Sequence, residues 1–342
     1  MNRRSSSVTI RDVARQAGVS VATVSRYINH KAPVSSRVAK RLDSVLTELR
    51  YVPHAAARRL ASTKTRMVGL LLNKLHNDFF IPLLNGIEAV IRQKNYNLII
   101  ATCHAKSCKH MNLPIGPHNA DGLLVFSDAL FDEDLAKLNA SGFPMVLVHR
   151  TPPGSLAIPS VTVENVAITH KLVDHLIQVH GRRRILFLRG PIQQEDSIKR
   201  EMGYKSALQA NGIPFDENLV LHGDFERDIA YQVMDHFLDN GRQVAFDAVF
   251  AGDDDAAMGV LRALHQRGWR VPEDVSVIGF DDQGFAPFLN PPLTTVRAPT
   301  ERVGQIATER LFGLLEDHPT NEVLVLPTEI IFRRSCGCES WA

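Results

Sequence analysis

An all-α, helix-turn-helix headpiece followed by an α/β body is the fold class this sequence predicts, on three observations. Residues 9 to 29 read as two short amphipathic helices broken by a glycine. Positive charge is gathered in front: residues 1 to 66 hold 14 Lys and Arg against the three acids Asp12, Asp43 and Glu48, a local net of +11. The whole-chain net of +2 therefore leaves −9 for residues 67 to 342. From Met67 onward, short apolar runs alternate with helical patterns, the signature of parallel sheets covered on both faces. With 342 residues and 44% hydrophobic content, the chain exceeds one usual domain and can bury a large core.

The headpiece elements follow in order. Thr9 caps a first helix, Asp12 completes a capping box, and Ile10, Val13, Ala14 and Ala17 share one face. Gly18 breaks the helix, and Ser20 caps a second one. In that helix Val24 and Ile28 point inward, which leaves Val21, Ala22, Thr23, Ser25, Arg26 and Asn29 on the other side. Small or apolar groups for base edges, hydroxyls for phosphates and a guanidinium able to bridge a guanine are what a major-groove helix needs. A merely solvated basic face would interleave acids at i,i+4, and these are mostly missing. Ser35 caps a third helix, whose Val38, Leu42, Val45, Leu46 and Leu49 form a stripe that closes a small domain over residues 1 to 52. Residues 53 to 61 read as a short basic helix opening at Pro53, too short to be stable alone, within a hinge and linker of residues 53 to 66.

In the body, residues 67 to 342, the strand candidates include Val68–Leu72, Asn97–Ile100, Gly122–Phe126, Met145–Val148, Ile185–Leu188, Ala248–Phe250 and Val275–Phe280. Two prolines and a glycine within residues 111 to 119 disfavour helix after the second strand. Asp253, Asp254 and Asp281 follow strand candidates, so they fall at strand carboxyl ends, where open parallel sheets bind ligands.

Composition excludes several classes. No apolar run approaches membrane-spanning length, and the polar start Met1–Ser7 lacks the apolar stretch of a signal peptide. Four cysteines, Cys103, Cys108, Cys336 and Cys338, are too few for a disulfide framework and fit a reducing cytoplasm. Cys103, His104, Cys108, His110 and His118 match no paired zinc-ligand spacing; Cys336-Gly337-Cys338 is open to a redox pair or a soft-metal ligand, but no metal and no cofactor are expected. No nucleophile elbow, P-loop or H-E-x-x-H motif is present, and Gly252 followed by three aspartates repels phosphate, so an enzyme is not expected.

The run Gly18-Val19-Ser20-Val21-Ala22-Thr23-Val24-Ser25-Arg26, followed by Tyr51-Val52-Pro53 and Ala57-Arg58-Arg59-Leu60-Ala61, resembles the lactose/galactose-repressor (LacI/GalR) family, and later segments match in order. The resemblance implies a body of two parallel-sheet subdomains like periplasmic sugar-binding proteins, with a ligand in the cleft between them. The chain then crosses near residues 165, 293 and 326, giving subdomain 1 about 67–164 and 293–325, and subdomain 2 about 165–292 and 326–342. It also implies a hinge with Ala57, Arg58 and Arg59 that folds only on DNA in a homodimer, with Leu60 as the minor-groove wedge.

For the effector site, Arg200 matches an effector-contacting arginine, Asp253 stands in the Asn-Asp-x-Met-Ala motif and Asp281 is the first aspartate of Gly-Phe-Asp-Asp. Phe79 and Phe80 match an aromatic pair, with core packing as the alternative, and Phe225 matches a cleft aromatic. His149 stands where many members have aspartate, and Arg334-Ser335-Cys336-Gly337 matches a terminal family pattern. The expected function is a cytoplasmic repressor that binds a pseudo-palindromic operator as a dimer, with a sugar effector; a purine or nucleoside is the alternative, and a solute-binding protein the rival class. Whether ligand releases DNA or tightens on it stays open at this point.

Overall fold

The structure, a computed structural model, describes residues 8–28, 34–49, 51, 64–75, 77–103, 113–239 and 245–339. The chain divides into two compact units, Met1–Thr65 and Arg66–Ala342. In the first, α1 (Ile10–Ala17) opens on the capping box, with the Thr9 side chain and main-chain N–H both paired to Asp12. It ends at Gly18 in the left-handed region (φ 63°), whose N–H reaches Ala14 O and Arg15 O, a turn a Cβ would disfavour. Ser20 Oγ accepts from Thr23 N (3.1 Å) at the start of α2 (Val21–Ile28). Against α3 (Ser36–Glu48), Val13, Ala14, Ala17, Val24, Leu42 and Val45 form a small core, and Val38, Ile28, Leu46 and Leu49 close over it half-buried. Ser35 differs from expectation: its side chain makes no capping bond, and the turn is closed by Ala39 N donating to Ser35 O (2.9 Å).

The second unit carries two parallel sheets. The first orders β11 (Val323–Leu326), β5 (Ser160–Val163), β4 (Met145–Val148), β3 (Gly122–Phe126), β1 (Met67–Leu72) and β2 (Asn97–Thr102). It carries α4 (Phe80–Gln93) and α5 (Asp132–Ala140). The second orders β7 (Val220–His222), β6 (Ile185–Arg189), β8 (Ala248–Ala251) and β9 (Ser276–Ile278). Its helices are α6 (Val166–Gln178), α7 (Glu195–Ala210), α8 (Arg227–Asp239) and α9 (Asp254–Gln266). Strands β1, β3, β4, β6 and β8 lack alternation because both their faces are buried, apart from the first residue of β1 and the last of β6.

A short antiparallel pair, β10 (Thr295–Arg297) with β12 (Glu329–Ile331), lies where the chain passes between the two sheets. Between these strands α10 (Thr300–Leu315) returns to pack on α4. One hydrophobic core runs through both halves, from Leu70, Leu83 and Val146 to Phe187, Tyr204 and Phe250.

The proline-rich stretch is non-helical where described. Ile115 seats over β1 at Gly69, where a Cβ would meet it at 2.3 Å, and Asn119 ties the turn by accepting from Gly116 N (2.9 Å). Cys103 is buried and disulfide-bonded, a bond that the low cysteine count did not predict. His118 is exposed, and His104, Cys108 and His110 lie outside the described residues.

Candidate functional site

On the headpiece, Ser20, Val21, Ala22 and Arg26 are exposed along one side of α2, while Val24 is fully buried on the other. Val21, an apolar side chain 42% exposed, is placed as a base-edge contact would require. Arg26 lies back along the helix, its Nε donating to Ala22 O (3.3 Å). Thr23 shares the cap, its Oγ1 2.8 Å from Ser20 Oγ, and Ser25 is half-buried. Thr9 is spent largely on its own cap. Asn29, Ala57, Arg58, Arg59 and Leu60 lie outside the described residues.

In the body, the carboxyl ends of β1, β3, β6, β7 and β8, with the turn after β9, border a cavity of ≈ 540 Å³, within the range of small-molecule sites. Its centre is Arg200 on α7, 2% exposed. Arg200 Nε donates to Asn165 Oδ1 (3.0 Å), Nη1 to Gly252 O (2.6 Å) and Nη2 to Asp281 Oδ1 (3.0 Å). These bonds use three of the five guanidinium N–H groups, so donor capacity remains for a ligand. Its Cζ lies 3.6 Å from the Phe280 ring centroid and 5.3 Å from that of Phe225.

Asp253 caps α9 by accepting from Ala256 N (2.8 Å) and also lines the cavity. Burial and the neighbouring Asp281 push its carboxyl well above the ordinary carboxylate range. A carboxyl so placed can donate as well as accept. Phe225 stands on a glycine floor: a Cβ at Gly190 would meet its Cζ at 2.2 Å, and one at Gly252 its Cε1 at 2.8 Å.

Phe79 and Phe126 border the cavity edge-on to each other (5.9 Å). Phe80, 5% exposed, is mainly a core residue, packed edge-on against Phe126 at 5.2 Å. Five residues in or against the wall, Ser127, His149, Asp224, Phe225 and Asp281, have φ between 46° and 104°. Such conformations each cost on the order of 1–3 kcal/mol, and they gather where function over-determines the backbone.

His149 is not on the cavity wall. It stands behind it, 1% exposed, with Nδ1 2.8 Å from Asp196 Oδ2 and rings of Phe79 and Phe126 at 5.6 and 5.4 Å. Its Nε2 has no hydrogen-bond partner among the described residues. Asp196, which sequence reasoning missed, does line the cavity and also accepts from Asn165 Nδ2 (2.9 Å). Burial alone would raise its carboxyl, but His149 and Arg200 hold it below the ordinary value.

Asn73, Asp128 and Gln194 were missed as well: Asn73 Nδ2 and Gln194 Nε2 both donate to Asp128 Oδ1 (2.9 and 3.1 Å), joining the two halves across the cleft. A Lys74–Glu226 ion pair also spans it. The only sequence signal for these residues was their position just after a strand or before a helix.

A helix-turn-helix in a basic headpiece, on the same chain as a cleft of effector size, is the construction of a DNA-binding regulator addressed by a small molecule. Known proteins carry the identification further. Residues 9–54 match the description "Bacterial regulatory proteins, lacI family", and residues 173–336 match the periplasmic binding protein-like domain. Catabolite control protein A of Priestia megaterium is 32% identical over 333 residues, covering 96% of this chain and 99% of that protein. The HTH-type transcriptional regulator CelR of Thermobifida fusca is 33% identical over 340 residues, covering 96% and 98%.

Among solved structures, a transcriptional regulator CelR–cellobiose complex matches with a TM-score of 0.70 at 31% identity, and a lac repressor dimer bound to operator and the anti-inducer ONPF with 0.78 at 26%. Each covers 96% of this chain and 99% of the other. The chain belongs to the lacI family of bacterial regulatory proteins, and it is a DNA-binding transcription regulator, not an enzyme. No helix among the described residues is long and apolar enough to cross a membrane.

Proposed function

We propose that this regulator represses transcription as a homodimer on a pseudo-palindromic operator, and that a neutral polyhydroxy ligand of the sugar class in the cleft controls it. The charge of the cavity carries the ligand reading: even leaving out Asp253, whose carboxyl burial raises, the carboxyls of Asp128, Asp196, Asp224, Glu226 and Asp281 outnumber the cations Lys74 and Arg200. Both cations are already ion-paired, to Glu226 and Asp281. That lining disfavours phosphates and carboxylates and suits hydroxyls, which both donate and accept, while Phe225 supports the C–H face of a ring. The cellobiose named in the CelR complex is in keeping with this class.

For the operator, α2 reads one half-site, with Val21, Ala22 and Arg26 toward bases and Thr23 and Ser25 toward phosphates, and a short hinge needs a symmetric partner. Leu60 wedges into the minor groove.

A thermal-shift screen of sugars, sugar phosphates, nucleosides and purines on the full chain tests the ligand class, since a cleft ligand stabilises by mass action. A neutral sugar is expected to raise the melting temperature and to move operator affinity by about 1–3 kcal/mol, the sign of the shift separating inducer from corepressor. A purine, nucleoside or phosphorylated compound as the only stabiliser overturns the sugar reading, and unchanged binding in Arg200→Ala and Asp281→Ala overturns the site. Leu60→Ser is expected to spare ligand affinity while reducing operator binding and bending; an unchanged bend in gel phasing removes the wedge.

A further inference from the structure

Away from the cleft, the C-terminal end of α6 meets the last described turn of the chain. His175 lies on α6, His180 just beyond it, and Cys336 and Cys338 flank Gly337, whose φ of 111° turns the chain so that both thiols face the imidazoles. One ligand atom from each of the four residues lies within 4.8 Å of every other. His175 Nε2 is 3.2 Å from Cys338 Sγ, His180 Nε2 is 3.1 Å from His175 Nε2, and Cys338 Sγ is 3.4 Å from His180 Nε2.

A tetrahedron with zinc–sulfur and zinc–nitrogen bonds of ordinary length puts its donor atoms roughly 3.3–3.8 Å apart. Hydrogen bonding alone accounts poorly for the convergence, because each imidazole Nε2 offers one proton or one lone pair, yet each has two close neighbours here. We propose that His175, His180, Cys336 and Cys338 form a four-coordinate structural zinc site that clips the C-terminal segment onto α6.

The surroundings suit that role. Both cysteines are unbonded to other sulfurs, Cys336 is fully buried and the other three ligands are partly buried, so the metal has an approach from solvent. With all four positions filled by side chains the site is closed, which fits a structural rather than a catalytic ion. Outer partners are in place: the Thr294 hydroxyl lies 3.1 Å from Cys336 Sγ, and Ser276 Oγ donates to Cys336 O (2.9 Å).

The ligand pairs come from segments about 160 residues apart in the chain, so the clip closes a long loop. It closes that loop beside Leu293 and Thr294, where the chain crosses between the sheets and where Ser335 Oγ accepts from Thr294 N (2.8 Å).

Full-length protein without a purification tag, stripped by chelator and kept oxygen-free without added thiol, so that the Cys103 disulfide stays closed while Cys336 and Cys338 stay thiols, tests the site by titration with Co²⁺ and then Zn²⁺. The expected result is one equivalent of Co²⁺ per chain with the intense visible bands of a tetrahedral ion and sulfur-to-metal charge transfer, displaced by Zn²⁺. Cys338→Ser and His180→Gln should each abolish the charge-transfer spectrum or weaken binding by well over tenfold, with the far-ultraviolet circular dichroism of the parent. Zn²⁺ should raise the melting temperature of the parent and of neither variant. A weak octahedral spectrum, no binding, or one equivalent of thiolate-bound metal surviving in both variants overturns the proposal.

Discussion

In the headpiece, the side chains that cap α1 and that cap and present α2 are bonded three or four positions apart: Thr9 with Asp12, Ser20 with Thr23, Arg26 with Ala22. In the cleft, Arg200 holds Asn165, Gly252 and Asp281, which lie 35, 52 and 81 positions away. The first surface is a property of helices and their caps, exposed to water, and each side chain on it acts nearly independently. The second is a network of buried charge in which every member depends on the others, so a single loss leaves polar groups stranded where water cannot replace them. The network reaches the other half of the body through Asp196, which accepts from Asn165 Nδ2 and pairs with His149, so the two halves share it.

The sharpest way to break this contrast is Arg200→Ala. It leaves Asp281 and Asn165 buried without their donor and is expected to destabilise the body by about 3–5 kcal/mol, as removal of one partner of a buried ion pair does. Chemical denaturation of the full chain reads this. A loss below about 1 kcal/mol, the range of an exposed ion pair, would mean that the cleft is as loosely coupled as the headpiece.

Arg26→Ala probes the other side. It is expected to cost about 1–3 kcal/mol of discrimination at a single base position while leaving effector affinity and melting temperature alone. Operator selection with randomised half-sites measures it, and full retention of sequence preference would remove Arg26 from the reading set.

The smallest expected effect runs in the stabilising direction. Burial and Asp281 raise the Asp253 carboxyl in the folded protein, so the folded state binds its proton more tightly than the unfolded chain does. Stability from this group is therefore lost as pH rises from the unfolded value through the folded one, so the group is a burden at neutral pH. Asp253→Asn keeps a capping oxygen for Ala256 N and removes that burden. It should stabilise the body by about 1 kcal/mol at neutral pH, with the gain vanishing as pH falls below the ordinary carboxylate range, and it should weaken effector binding. Melting curves across pH check the sign; a variant destabilised at neutral pH and unchanged in acid would contradict it.

The headpiece was legible in the sequence because its determinants are local. Thr9, Asp12, Gly18 and Ser20 stand at the spacings that caps and turns require, and the buried face of α2 repeats at helical period. The strands of the body were legible for a similar reason, since burial of both faces writes a continuous apolar run. Arg200, Asp253 and Asp281 could be singled out as candidates, but nothing in the sequence shows that one guanidinium joins Asn165, Gly252 and Asp281, or that Asp196 lines the cavity with His149 behind it.

The three consecutive aspartates show what tertiary structure alone decided. They are the same residue type in one short run, yet Asp253 lines the cavity and Asp254 accepts from Thr295 Oγ1 (2.6 Å) and Gln283 N (2.8 Å). Asp255 pairs with Arg227 (2.6 Å). Asp253 is the extended N-cap of α9, and Asp254 and Asp255 on its first turn point about 100° apart, as 3.6 residues per turn requires. Direction is thus a local consequence of the helix, but the groups waiting in each direction arrive from 28 to 41 positions away, and only the folding of those segments together distinguishes a cavity-lining residue from two structural ones.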